Sequence, residues 1–205
     1  MRCWVAVWAL ALAMALVVVL GGFAAQPARA ASEVEITQLR LERVGDDAYL
    51  NASVNFALSP LVEDALTKGI ALYFVAEAEL YRKRWWWTDQ LMGQAVRYMR
   101  LSYQPLTRRW RLVVSSTPIG NMGLSTLLSQ NFDTLDEALE MIKRLGRLRL
   151  GNADEFGGDP LLAVVFRFKL DTSQLPRPFQ IGVVGHSDWN IAVERSLSLP
   201  MENSK

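Results

Sequence analysis

The residues best suited to chemistry begin in the stretch "LYRKRWWWTDQ". There Arg82, Lys83 and Arg84 run into Trp85, Trp86 and Trp87, and Asp89 follows. Tryptophan offers a large apolar face with a polar handle, and arginine a charged fork of donors. Together they suit a partner protein's hot spot, a sugar ring or a lipid interface. In an extended chain neighbouring side chains point to opposite faces, so Trp85 and Trp87 share a face that Trp86 does not, unless a bulge intervenes. Carrying the parity of Leu72 and Leu80 forward puts Arg82, Arg84 and Trp86 on the buried side. Arginines do not belong there, so the strand is expected to end, bend or lose its cover near Arg82. Two readings stand beyond that point. In one, tryptophans fold back as a lid on the core while Arg82 to Arg84 pair with Glu77, Glu79 or Asp89. In the other, Arg82, Arg84, Trp85, Trp86, Trp87 and Asp89 form an exposed recognition surface.

Other constellations point less sharply. His186 is the only histidine, which excludes a histidine-rich metal site and leaves a Ser/His/Asp triad only the "GHSDW" segment to use. The loop "GNADEFGGDP" carries Asp154, Glu155 and Asp159, a carboxylate set that a hydrolase could use if two acids faced each other across a cleft at ~5 to 10 Å. It lacks the oxygen-ligand spacing of an EF-hand, and no metal or cofactor is expected. Arg97, Arg100, Arg108, Arg109 and Arg111 fall on two neighbouring segments with Tyr98, Tyr103 and Trp110 among them. They read either as a cation-rich face for an acidic partner or a phosphate, or as cross-strand partners of Glu77 and Glu79, which is the expectation favoured. "SSTPIGNMGLSTLLSQNF" has glycine and small polar residues without the spacing of a phosphate loop, and is expected to be a long connection.

The elements that must position these residues begin after an N-terminal segment. Arg2 precedes the apolar run Val5 to Phe23, then Gly21-Gly22 and "ARAA" supply small residues at positions −3 and −1 of a cleavage site after Ala30. Residues 1–30 are therefore expected to be a secretory signal peptide. The run approaches the ~20 residues that span a bilayer, so an uncleaved signal anchor over residues 5–23 is the alternative. Either places the remainder outside the cytoplasm, in the periplasm of a two-membrane cell. Cys3, the single cysteine of 205 residues, lies in this segment. The chain carries a net charge of +1, and removing Arg2 and Arg29 leaves 20 basic against 21 acidic residues, a net −1 with no global pull toward nucleic acid. Residues 31–199 read as one β-rich domain, and residues 200–205 as a polar, frayed tail.

Within the domain, "VEITQLRLERV" and "AYLNASVNFAL" flank the turn-forming Gly45-Asp46-Asp47 and read as a hairpin with Leu50, Ala52, Val54, Phe56 and Leu58 on one face. "SPLVEDALTKG" has a capping Ser59, Pro60 in the first turn and a closing Gly69, a short helix. Ile70 to Tyr81 alternates as a strand, and "QAVRYMRLSYQPLTRRWRLVVSS" gives two more joined near Gln104 to Thr107. Thr134 and Glu137 form a capping box for a second helix from about Leu135 to Leu145, closing on Gly146. Leu162 to Leu170 alternates again, and "WNIAVERSLSL" is the last strand. Pro176 and Pro178 make Leu175 to Phe179 a rigid lead into a strand at Ile181. This much two-residue alternation without βαβ spacing predicts an antiparallel β-sandwich of about seven to nine strands with two short helices, with an α+β layer as the alternative.

Four segments, "ALTKGIALYFVAEAELYRKRWWWTD", "YMRLSYQPLTRRWRL", "NFDTLDEALEMI" and "LDTSQLPRPFQIGVVGHSDWNIA", resemble the successive signatures of a family of exported proteobacterial proteins known only as a domain of unknown function. The resemblance runs from about Glu33 to Leu199, with the tryptophan triplet and "LPRPFQ" its most specific parts. "RLRLGN" departs from it, lacking an expected aromatic, which leaves a strand there less secure. The family carries no catalytic residues to transfer. Its gene setting, often beside a membrane sensor kinase and its response regulator, implies an accessory role in envelope sensing.

The combined expectation is an exported, non-enzymatic binding or accessory module. Its face is Arg82, Arg84, Trp85, Trp86, Trp87 and Asp89, and its partner an envelope or inner-membrane protein such as a sensor kinase. A carboxylate-dependent envelope hydrolase is the alternative. A purely structural partner of a membrane protein is a third reading, one that requires an exposed apolar patch.

Overall fold

The computed structural model describes residues 34–83, 88–119, 128–156, 162–176, 187–198 and 201–203. Glu35–Val44 (β1) and Asp47–Asn55 (β2) form the first hairpin, turning through Gly45, whose φ of 62° lies where a side chain would be strained. Every second residue of β2 from Ala48 to Val54 is buried. Ser59 Oγ then accepts the Val62 N–H and Pro60 occupies the first turn, so the chain enters the helix Pro60–Thr67 (α1), which buries Val62, Ala65 and Leu66.

Leu72–Arg82 (β3), Gln90–Gln104 (β4) and Arg109–Ser115 (β5) follow as an antiparallel meander. Leu128–Phe132 (β6) adds to β5, and Thr134 caps the helix Leu135–Lys143 (α2) by accepting the Glu137 N–H at 3.3 Å. Arg144–Asn152 (β7), the single turn Ala153–Phe156 (α3), Leu162–Leu170 (β8), Ala192–Leu197 (β9) and Met201–Asn203 (β10) complete the order.

The strands make two sheets, β10-β1-β2-β7 and β6-β5-β4-β3-β8-β9, antiparallel throughout except for the parallel β1–β10 pair. Their apolar faces enclose one core, centred on Phe56, Phe74 and Phe168 with ring centroids 5.4–5.8 Å apart. The alternating positions read from the sequence, Leu72 to Leu80 and Leu162 to Leu170, are those that face it. The protein is thus the antiparallel sandwich that two-residue alternation implies. Among the described residues no helix is long and apolar enough to cross a membrane.

Three local expectations are corrected. The second helix stops at Lys143 rather than running to Leu145, and Gly146 lies inside a strand. Leu145 faces the core opposite Ala52 and Leu148 opposite Leu50, so β7 carries one extra residue there. Arg147 absorbs it with φ of 56°, and Asn51 Oδ1 accepts the Arg147 N–H at 2.8 Å. Next, the "SSTPIGNMGLSTLLSQNF" connection contains β6, an exposed edge strand without apolar alternation. Finally, the polar tail is held through β10, paired with β1 at Leu41 to Arg43. The strand expected at Ile181 lies outside the described residues.

Candidate functional site

Trp85, Trp86 and Trp87, with Arg84, lie outside the described residues. The strands on either side of them are described: β3 ends at Arg82, as the parity argument requires, and Arg82 pairs with Gln90 at the start of β4. Half-buried, Arg82 donates from Nη2 to the Glu155 carbonyl at 3.1 Å, while Asp89 is exposed. The end of β3 is thereby tied to α3, which carries two of the three acids of the hydrolase alternative. Asp154 there binds Arg43 at 2.6 Å and Glu155 is exposed. Asp159 and His186 lie outside the described residues.

The basic cluster does not pair with Glu77 and Glu79 as expected. Those acids face β8: Arg167 binds Glu79 at 2.7 Å and Glu194 at 2.9 Å, and Lys169 reaches Glu77 at 3.6 Å. The register explains it, because Arg167 stands opposite Glu77 and beside Glu79, at the centre of three acids. Both carboxylates hold the Arg167 guanidinium above its ordinary pKa, and Glu79 raises that of the Tyr81 hydroxyl it accepts from. The five arginines instead separate by parity. Arg100 points to the outer face, over the Tyr73 ring at 5.8 Å, and Arg111 is on that face too. Arg109 binds Asp133 at 3.1 Å, and Arg108 occupies the turn with φ of 53°. Arg97 shares its face with Met99 and Leu101, and so points between the sheets.

That inward arginine belongs to a groove of about 620 Å³ between β4, β5 and β6 on one side and β7 on the other. It exists because the six-stranded sheet is wider than its partner. Beyond β7, α2 covers the inner face at Trp110 and Leu112 but leaves Ala95, Val114 and Leu128 as an apolar floor; Leu128 is 78% exposed. Leu148 and the arginines Arg147 and Arg149 line the β7 side. Among the described residues no Asp, Glu, His or Cys lines it. The size is that of a small-ligand or peptide-segment site.

Glycine sets the distance between the walls. A Cβ on Gly93 would lie 2.2 Å from the Leu150 carbonyl oxygen, so β4 and β7 touch there backbone to backbone. Four residues on, Arg97 Nη2 donates to the Gly146 carbonyl at 2.7 Å. Burial pushes the Arg97 guanidinium below its ordinary pKa, and among the described residues it has no carboxylate partner. Arg149 is paired with Asp47 at 2.7 Å and holds that carboxyl below the usual range. Arg147 lies over the Tyr49 ring at 5.2 Å and makes no ion pair among the described residues. The groove thus presents Arg97 beside an apolar floor, with Arg147 at its rim over the Tyr49 ring, an arrangement suited in charge and polarity to an anionic, partly apolar chain, and no general base lines it among the described residues.

Sequence reasoning did not identify this groove. The signal available was the parity of β4, which already put Arg97 on the side of Met99 and Leu101. Among the described residues no group of three or more His, Cys, Asp or Glu is placed to hold a metal ion.

The sequence model of a family described as "domain of unknown function (DUF4390)" matches residues 31–197. No curated protein and no solved structure matches the chain.

Proposed function

We propose that this chain, which belongs to the DUF4390 family, is an exported, non-enzymatic recognition module that docks an acidic, partly apolar segment of a cell-envelope protein in its basic groove. One observation carries the reading: Arg97 is held partly buried beside an apolar floor, in a groove that among the described residues is lined by three arginines and no acid, and it has no carboxylate partner among them. An uncompensated, desolvated guanidinium is costly, and a carboxylate brought by a partner converts that cost into affinity. Export is supported by the signal-like residues 1–30 and by a family match that begins at residue 31. The partner implied by the resemblance is a membrane sensor kinase. The segment between β3 and β4, with Arg82, Arg84, Trp85, Trp86, Trp87 and Asp89, is a second proposed contact, since β4 runs from that end to the groove.

The test is selection of peptides that bind the mature domain, followed by mapping of their footprint by NMR. Acidic peptides with aliphatic residues are expected, perturbing Ala95, Val114 and Leu128 and weakening with salt. Arg147→Asn, which suits the left-handed backbone at that position, is expected to cost about fivefold in affinity, a loss of about 1 kcal/mol. Selected peptides without net negative charge, or a footprint elsewhere, would overturn the proposal.

A further inference from the structure

The outer face of the six-stranded sheet divides by charge. On β3, β8 and β9 the acids Glu77, Glu79 and Glu194 are matched by Arg167 and Lys169. On β4, β5 and β6 the same face carries Arg100 and Arg111 among Ser102, Ser129 and Asn131, with no carboxylate among the described residues of these strands on that face. Arg100 stands opposite Val113, which makes Arg111 its diagonal neighbour across the strand pair, at a Cα separation of about 7–8 Å. Two like charges in that relation repel. Among the described residues neither arginine makes an ion pair. Arg100 has the Tyr73 ring, and Arg111 donates to Ser129 Oγ at 3.4 Å.

Each guanidinium is also half out of water. The Nε atoms of both Arg100 and Arg111 are buried with no hydrogen-bond partner among the described residues. A buried donor without an acceptor asks for an explanation, of which an absent ion is one. With the Nε edge against the sheet, the Nη edges are the ones left to face solvent. A guanidinium desolvated on one side attracts an anion more strongly than one fully in water.

We propose that Arg100 and Arg111 form a site for a phosphate group carrying two negative charges, held by the Nη edges of both guanidiniums, with Ser102, Ser129 and Asn131 as further donors. Two fixed cations match a dianion better than a monocarboxylate, and arginine's planar fork fits phosphate oxygens in pairs. The site lies on the face of β4 opposite the groove and does not depend on it.

The experiment is thermal unfolding of the mature domain in inorganic phosphate against chloride at matched ionic strength, with capture by vesicles containing phosphatidic acid as a second arm. Phosphate at about five times its Kd is expected to raise Tm by about 2–4 °C, and Arg100→Gln with Arg111→Gln to abolish the rise. A Tm rise without vesicle capture assigns soluble phosphate as the source. A rise with capture that the double variant loses assigns a lipid headgroup. Should the double variant fail to fold, Arg111→Lys, which keeps the charge but not the fork, is expected to weaken phosphate about tenfold. No rise over chloride, or a rise unchanged in these variants, overturns the proposal.

Discussion

Replacing Gly93 by alanine is expected to damage both the sandwich and its groove. The added Cβ would sit 2.2 Å from the Leu150 carbonyl oxygen and 3.0 Å from its carbon, where ordinary contact begins at 3.4 Å. The two strands must therefore part by more than 1 Å. Neither can yield cheaply, because both clashing atoms belong to β7 backbone, Leu148 and Leu150 anchor that strand in the core, and Phe156 Cζ closes the remaining side at 3.3 Å. Overpacking commonly costs 1–3 kcal/mol, and a backbone clash belongs at the upper end, about 3 kcal/mol. For a domain of this size that lowers Tm by about 6–12 °C. Urea unfolding should show the midpoint shifted with the m-value unchanged. Adding Phe156→Leu to Gly93→Ala should not restore stability, since the ring is not the main obstacle. Because the displacement separates Arg97 from the Gly146 carbonyl, acidic-peptide affinity should fall with it. A Gly93→Ala protein within about 1 kcal/mol of the parent would refute the close approach of the sheets.

Asp47 is held below the ordinary carboxylate range by its hydrogen bond from Arg149, so the stabilisation it contributes is present above its unfolded value and is lost as pH falls through the folded one. Arg149→Gln should return the Asp47 carboxyl toward the ordinary range in an NMR titration and remove that part of the acid sensitivity. Arg167→Met should destabilise by about 2 kcal/mol in urea, because it leaves Glu79, only 15% exposed, without its charge partner; Arg109→Met, which breaks an open surface pair, should cost less than about 0.5 kcal/mol. If residues 1–30 are the proposed signal peptide, Ala30→Leu should block their removal, with intact mass of the parent and the variant as the readout, whereas processing unchanged by the substitution would place the cleavage site elsewhere.

The parts of the fold legible in the sequence are those where one rule acts alone. β2, β3 and β8 alternate cleanly because one face of each is buried along nearly its whole length. Both longer helices announce their starts, since Ser59 and Thr134 cap them through the side-chain bonds their types predict. Legibility fails where signals coincide. Lys143, Arg144 and Gly146 look like a helix end, and the extra residue at Gly146-Arg147 breaks the alternation of Leu145, Leu148 and Leu150 that would have marked a strand. β6 buries almost nothing, so its sequence carries no period to read. The groove was hidden for a different reason. Parity puts Arg97 inward, but residue type argues outward, and only the unequal widths of the two sheets reconcile them by leaving that stretch of inner face uncovered.

The most direct test of the recognition account is in-cell photo-crosslinking from Leu128, an exposed groove position whose replacement by a photoreactive residue disturbs no core contact, with Glu63 on the outside of α1 as the control site. The account predicts a discrete adduct with an envelope protein, joined through an acidic segment and reduced by Arg147→Asn, and none from Glu63. Only intramolecular products from Leu128, or the same adducts from both positions, would contradict it.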